Sequence, residues 1–225
     1  MPSKSRYRWL VFSLSFAFIL LHQADKLLIG PLTTPIMETF EIDEAQMGAV
    51  FTGALLVSAF LYPVWGYLYD RFARPKLLAL ASVIWGSTTW LSAIAPTYPA
   101  FLISRASTGI DDSSYPGLYS LIADYFGPSM RGKVYGLLQL GMPLGYMIGL
   151  VAATLLSGLI GWRGVFYITG SLGLLLALLI YTKVHEVPRG KTEPELEDLE
   201  KIGVYRFDKK IALWREYRTA IIPAM

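Results

Sequence analysis

The chain has no cysteine and only two histidines, His22 and His185. The first absence excludes a disulfide scaffold, a structural cysteine zinc site and thiolate catalysis. The second excludes a histidine-rich metal centre, so neither a metal nor a cofactor is expected. Charge is scarce as well. Only 16% of the 225 residues are charged, where a soluble domain carries about a quarter, and 54% are hydrophobic. The mean hydropathy is +0.45. Such a composition argues against a soluble enzyme and against disorder. The net charge is +3, and the basic residues are separated by long apolar runs, the wrong pattern for nucleic acid. No serine or histidine sits in a recognisable nucleophile motif, so an enzyme is not expected.

What the chain does have is apolar length. A helix needs roughly 20 apolar residues to cross a bilayer core of about 30 Å. Six stretches qualify: residues 7–30, 46–69, 77–95, 100–125, 134–160 and 164–181. Asp43 and Gln46 form a capping-box pattern at the start of the second. Lys4, Arg6 and Arg8 precede the first stretch, which is long for a signal peptide and reads as an uncleaved helix. Lys and Arg crowd the N-terminus, the loop after the second span (Arg71, Arg74, Lys76) and the loop after the fourth (Arg131, Lys133). The opposite side has Arg163, with Glu38, Glu41, Asp43 and Glu44 in its first loop. The positive-inside rule puts the N-terminus and the C-terminal segment in the cytoplasm.

These features divide the chain into a membrane bundle over 1–185 and a cytoplasmic segment over 186–225. Residues 186–208 read as a solvated linker. Residues 209–218 fit either a short surface helix or a linker end, and 220–225 turn apolar again, as at the start of a seventh helix.

The informative residues are charges inside spans, where each costs about 2.5 kcal/mol or more. Asp25 and Lys26 lie in the first span, and Arg105, Asp111 and Asp112 lie in the fourth. Arg105 and Asp112 are seven apart and share a helical face, with Gly109 and Pro116 near the same stripe. Asp111 is turned about 100° from Asp112. The simplest arrangement points Asp25, Arg105 and Asp112 into a common polar interior and leaves Lys26 and Asp111 to pair locally or reach the cavity edge. One reading is that these charges neutralise each other and fix packing. The other is a titrating site, since burial and a neighbouring arginine act in opposite senses on a carboxyl proton. A base and an acid on one face, with an acid in another span, favour the second. His22 and Gln23 lie near the same cavity, as hydrogen-bonded packing or as a relay. Tyr115, Tyr119 and Tyr146 suit packing or substrate contact. Trp85, Trp90 and Trp162 read as packing or interfacial anchors.

Two backbone devices complete the pattern. Gly141, Gly145 and Gly149 are four apart and allow close helix approach, and Pro143 removes a backbone hydrogen bond between them. This fits static packing or a flexing helix at a moving interface. After the second span, Gly66, Asp70, Arg71 and Arg74 form a loop motif. Asp70 sits near a helix C-terminus, where the macrodipole disfavours an anion, so it calls for a compensating partner.

Gly66 to Lys76 resembles the loop signature of the major facilitator superfamily, with Ala73 in place of a glycine and Pro75 in a position often basic. Arg105 and Gly109 match its helix-four signature. Ala123 to Arg131 and Gly161 to Phe166 are also similar to the family. Within it, Arg105-Ala-Ser-Thr-Gly109-Ile-Asp111-Asp112-Ser-Ser-Tyr115 most resembles spinster-like transporters. Asp112 stands at their glutamate position and Asp111 at a glycine, while Asp25-Lys26 resembles their Asp-Arg pair. Organic-anion symporters share both patterns.

The resemblance implies an all-α integral membrane fold, the N-terminal six-helix bundle of a twelve-helix major facilitator fold. It implies a secondary active transporter working by alternating access, proton-linked, as symporter or antiporter. The implied substrate is an organic, amphiphilic or anionic small molecule. Proton coupling and the substrate cavity fall to Asp25, Lys26, Arg105, Asp111 and Asp112, and a conformational gate to Gly66, Asp70, Arg71 and Arg74. Gly109, Gly141, Pro143, Gly145 and Gly149 would pack or flex helices. The expected partners are substrate, protons, the lipid of the cell (inner) membrane and a missing C-terminal six-helix half. The alternative is a six-helix binding or regulatory membrane protein without flux.

Overall fold

The computed structural model describes residues 4–192. The surface-helix and seventh-helix expectations for 209–225 lie outside the described residues. Among the described residues eight helices follow in order: α1 Lys4–Phe40, α2 Glu44–Arg71, α3 Arg74–Ile94, α4 Tyr98–Ala106, α5 Gly109–Asp112, α6 Tyr115–Tyr125, α7 Pro128–Gln139 and α8 Gly141–Lys183.

Four uninterrupted stretches are long and apolar enough to cross a membrane: 6–40, 44–71, 74–94 and 128–183. Packing accounts for the difference from the six expected. The first part of α8 runs alongside α1 in the same direction. Gly141 meets Phe16 and Ile19, Gly145 meets Leu20, and Gly149 meets Ala24. Trp162 then reaches Thr39 and Phe40 at the far end of α1. After that α8 returns, Thr169 meeting Asp25 and the Lys183 carbonyl meeting Tyr7. The reversal falls at Gly161, with φ 69° and ψ 166°, a region essentially reserved for glycine. One 56-residue stretch thus makes two passes.

The remaining pass, 98–125, is broken into α4, α5 and α6. Pro116 explains the second break: it cannot donate to the carbonyl four residues back, and α5 ends at Asp112. The first break carries hydroxyls that bond back into their own helix, Ser107 to the Ile103 carbonyl (2.8 Å) and Thr108 to that of Arg105 (2.7 Å). Such bonds bend helices. Pro143 acts like Pro116, because α7 ends at Gln139, four residues before it. α1 extends well beyond the expected 7–30. It passes through Pro31 and Pro35 to Phe40, as membrane helices can when neighbours pack around the freed backbone.

The capping box forms as spaced. The Gln46 N–H donates to Asp43 Oδ1 (2.7 Å), and the Asp43 N–H donates to Gln46 Oε1 (3.1 Å).

The core is layered along the bundle. One apolar cluster gathers Val11, Phe18, Tyr69, Leu121, Phe126 and Ile180 at the end where α1 begins. A second gathers Leu32, Ile36, Met47, Phe101 and Trp162 at the other end. Between them α1 buries His22, Gln23 and Asp25, and the broken fourth pass buries Ser104, Arg105, Asp111, Ser113 and Ser114. Outward faces are apolar, with Phe60 and Leu159 among the most exposed side chains, as a lipid-facing surface requires.

Candidate functional site

The middle layer holds two ion pairs and one histidine–carboxylate pair on neighbouring turns. Asp25 is buried and gathers three partners. Thr169 Oγ1 donates to its Oδ1 (2.8 Å), while Thr89 Oγ1 (3.3 Å) and Arg105 Nη1 (3.4 Å) donate to its Oδ2. Arg105 is itself buried, its guanidinium 5.2 Å from the centre of the Phe166 ring. Lys26 Nζ donates to Asp112 Oδ2 (2.7 Å), and the Lys26 side chain is 51% exposed. The third pair is His22 Nε2 with Asp111 Oδ2, 2.5 Å apart. His22 Nδ1 lies 2.6 Å from the Tyr115 hydroxyl, which also accepts from Gln23 Nε2 (2.6 Å).

His22, Asp25, Lys26, Arg105 and Asp112 line one cavity of about 100 Å³, walled by Val50, Phe51, Ala54 and Leu55 of α2 and by Trp85. The structure brings Asp25, Arg105 and Asp112 to this common space, but Asp112 pairs with Lys26, not Arg105. Asp111 turns away from the cavity into the core and meets His22. The pass bends between Arg105 and Asp111, so the seven-residue register of an unbroken helix does not hold there.

The pairs differ in what they can do. Arg105 and Asp25 have little water to fall back on, so removing one partner of such a buried pair costs about 3–5 kcal/mol. Lys26 is 51% exposed toward the cavity side and Asp112 12%, so this pair is less enclosed than Arg105–Asp25. Its link to Asp112 can therefore open at lower cost than the buried pair, leaving an ammonium free for an anionic ligand.

The loop motif is held from an unexpected direction. Arg74 is buried. Its guanidinium donates to Asp124 Oδ2 (2.5 Å), to Glu186 Oε1 (2.6 and 2.9 Å), and to the hydroxyl and carbonyl of Ser120. The Arg74 N–H adds a bond to Glu186 Oε2 (2.5 Å). Arg189 binds the carbonyls of Tyr69, Asp70 and Phe72, closing the C-terminus of α2. Gly190 N–H reaches Asp124, and Thr192 reaches the Ala123 carbonyl. Residues 186–192, expected as solvated linker, are strapped onto the bundle, and the compact unit runs to Thr192, not 185. The Asp70 carboxylate is exposed and makes no ion pair among the described residues. The macrodipole is answered by Arg189 instead. Arg71 stacks on Tyr67 at 4.4 Å. Gly66 has open space beside it.

The packing glycines have physical cause. A Cβ on Gly145 would stand 2.3 Å from the Leu20 carbonyl oxygen, and one on Gly149 2.3 Å from that of Ala24. On Gly109 it would stand 2.2 Å from the Ala54 carbonyl. Pro143 is exposed.

Thr89 and Thr169 carry no sequence signal as partners of Asp25, because hydroxyls in spans commonly bond to their own helix. Glu186 and Arg189 were hidden by a polar composition that looks the same whether strapped or solvated.

Comparison with known proteins now adds to this geometry. The sequence model described as Major Facilitator Superfamily matches residues 14–223. Protein spinster homolog 1 of Rattus norvegicus is 30% identical over 178 residues, 77% of this chain and 34% of that protein. The 3-(3-hydroxy-phenyl)propionate transporter of Escherichia coli is 30% identical over 183 residues, 80% of this chain and 45% of that protein. The chain thus spans between a third and a half of the length of these relatives. Among solved structures, a bacterial homolog of the human lysosomal transporter Spinster, inward-facing and occupied, superposes with TM-score 0.78. That match covers 85% of this chain and 48% of the other at 24% identity.

Proposed function

The chain belongs to the Major Facilitator Superfamily, and on that premise we propose that it forms the N-terminal bundle of a proton-linked secondary transporter working by alternating access. The carrying observation is the polar layer itself: Asp25, Lys26, Arg105 and Asp112 around one cavity in the middle of an apolar bundle. Charges at that depth are costly and mark pathways for ions or substrates. A second six-helix bundle would supply the facing wall.

In this reading Arg105 and Lys26 present positive charge to an organic substrate with an anionic group. The likeness to a transporter named for a phenylpropionate, a carboxylate, supports that class. Asp25 and Asp112 take up a proton as Arg105 and Lys26 turn to substrate, and Asp111 completes the layer from behind. Gly66, Asp70, Arg71 and Arg74 form the gate loop, closed here by Glu186 and Arg189. Gly141, Pro143, Gly145 and Gly149 set the contact on which helices shift. The basic loops support a cytoplasmic position for the N-terminus and residues 186–225.

The test is reconstitution of the full-length product in liposomes with an imposed proton gradient, using an arylpropionate and an acidic lysophospholipid as trial anions. Gradient-driven flux is expected. Asp25→Asn or Asp112→Asn should uncouple it, and Arg105→Ala should abolish coupling. Gradient-driven flux that survives all three would sink the assignment. A native protein of 25.1 kDa with a defined oligomer and no flux would support a six-helix binding protein instead.

A further inference from the structure

We infer that His22 and Asp111 form a second proton-binding site, separate from the Asp25–Arg105 pair and built across α1 and α5. The binding of the proton stands apart from the transport reading; only its use in coupling rests on that reading.

Hydrogen-bond accounting carries the inference. Gln23 Nε2 donates to the Tyr115 oxygen. The single hydroxyl hydrogen of Tyr115 is then free to point at His22 Nδ1, 2.6 Å away. His22 accepts there and donates from Nε2 to Asp111 Oδ2 at 2.5 Å. Every member of this chain has one hydrogen directed along it, from Gln23 to Tyr115 to His22 to Asp111. The far end is open: Asp111 Oδ1 is buried and has no hydrogen-bond partner. A buried ionised carboxylate with an unpartnered oxygen is costly, and one more proton on the pair lowers that cost by cancelling its net charge. The pair therefore has a place for one more proton and a defined route for passing it.

Charge balance points the same way. The layer sets three carboxylates, Asp25, Asp111 and Asp112, against two permanent cations, Lys26 and Arg105. One negative charge is unmatched while His22 is neutral. A proton on the His22–Asp111 pair brings the layer to neutrality without breaking either ion pair. The neighbours are defined on every side. On α1, Asp25 and Lys26 are near, and Asp112 Oδ1 of α5 lies 3.7 Å from His22 Nε2. α4 presents Arg105, α6 presents Tyr115, and α8 presents Tyr146 toward Tyr115. The cavity residues of α2, and Trp85 of α3, do not titrate. Phe18 stacks on the imidazole, with ring centres 5.7 Å apart, and holds its plane. Access is built in, because His22 lines the cavity while Asp111 does not. A proton arriving at Nδ1 takes the place of the Tyr115 hydrogen, the hydroxyl turning to accept, and makes an imidazolium held against the Asp111 carboxylate; the pair titrates as one unit.

The composition makes the test direct. His185 is the other histidine and lies outside this site, bonded to Tyr7. With His185→Gln, His22 is the one histidine left among these 225 residues, and nitrogen-15 histidine NMR follows it as the signal lost in His22→Gln. The expected spectrum shows the Nε2–H tautomer, followed by one protonation step as pH falls. Asp111→Asn should shift the midpoint of that step by about 1–3 pH units, the range for a charge in contact. Should Asp111→Asn fail to fold, Tyr115→Phe removes the Nδ1 partner, together with the acceptor of Gln23 Nε2, and should change the tautomer ratio. The inference is overturned if His22 keeps one protonation state across the folded range, or if neither variant alters its titration or tautomer. The readout needs no flux, so it stands or falls separately from the transport test.

Discussion

Arg74 shows how one side chain can organise a whole end of the bundle. It joins α3 to Ser120 and Asp124 of α6 and to Glu186 after α8, with its guanidinium almost fully buried. Replacing it strands a buried carboxylate at Asp124. Arg74→Ala should therefore lower unfolding stability by about 3–5 kcal/mol, read by reversible denaturation in mixed micelles. Arg74→Lys should recover only part, since an ammonium lacks the planar fork that meets two carboxylates at once. Arg71→Ala, exposed and resting on Tyr67, should stay within about 0.5 kcal/mol. An equal effect at both positions would mean that the buried network contributes nothing special. The sequence marked Arg74 as part of a loop motif. It could not mark Glu186, 112 residues away, because pairing at that separation is a tertiary fact. His22 and Asp111 were each visible as polar residues in apolar spans. Their partnership depends on a bend that no spacing rule supplied.

At the scale of the element, glycine spacing was readable and helix breaks were not. Gly145 and Gly149 sit against the carbonyls of α1, so an added methyl must push two helices apart. Gly149→Ala and Gly109→Ala should each destabilise by about 1–3 kcal/mol. Gly158→Ala, with nothing within 4 Å of its Cβ, should be neutral or slightly stabilising through helix propensity. Thermal denaturation of the three variants ranks them, and a loss at Gly158 as large as at Gly149 would refute the packing account. Six hydrophobic stretches were legible because length and apolarity announce a span. The division of the fourth into α4, α5 and α6 was not, since Pro116 marks one break while Ser107 and Thr108 make the other through bonds to their own helix. α1 ran past its expected end for the opposite reason: its two prolines interrupt hydrogen bonds without ending the helix.

At the scale of the molecule, the lack of cysteine becomes an experimental asset. Single cysteines can be placed without removing any. Glu38→Cys and Glu44→Cys should react with a membrane-impermeant maleimide added outside intact cells. Lys76→Cys and Lys133→Cys should react only after permeabilisation. The reverse pattern would invert the proposed sidedness while leaving the fold untouched. The layered core, with a polar middle between two apolar ends, was foreshadowed by charges in the first and fourth spans. Its third contributor, Thr169 from the returning part of α8, was not, because nothing in a lone threonine tells which carboxylate it will meet.

The strand of charge on α1 also has a history in time. Asp25 meets Arg105, 80 residues later, and His22 meets Asp111, 89 residues later. A ribosome adding about 5–20 residues per second makes Arg105 about 4–16 s after Asp25. During that interval α1 holds an unpaired carboxylate and ammonium at hydrocarbon depth, each at about 2.5–3.5 kcal/mol on the insertion scale. The first helix is thus least at home in the membrane at the moment it is made, and the arrival of the fourth pass relieves it. A lesion that delays or misplaces Arg105 strikes biogenesis before it strikes anything the finished molecule does.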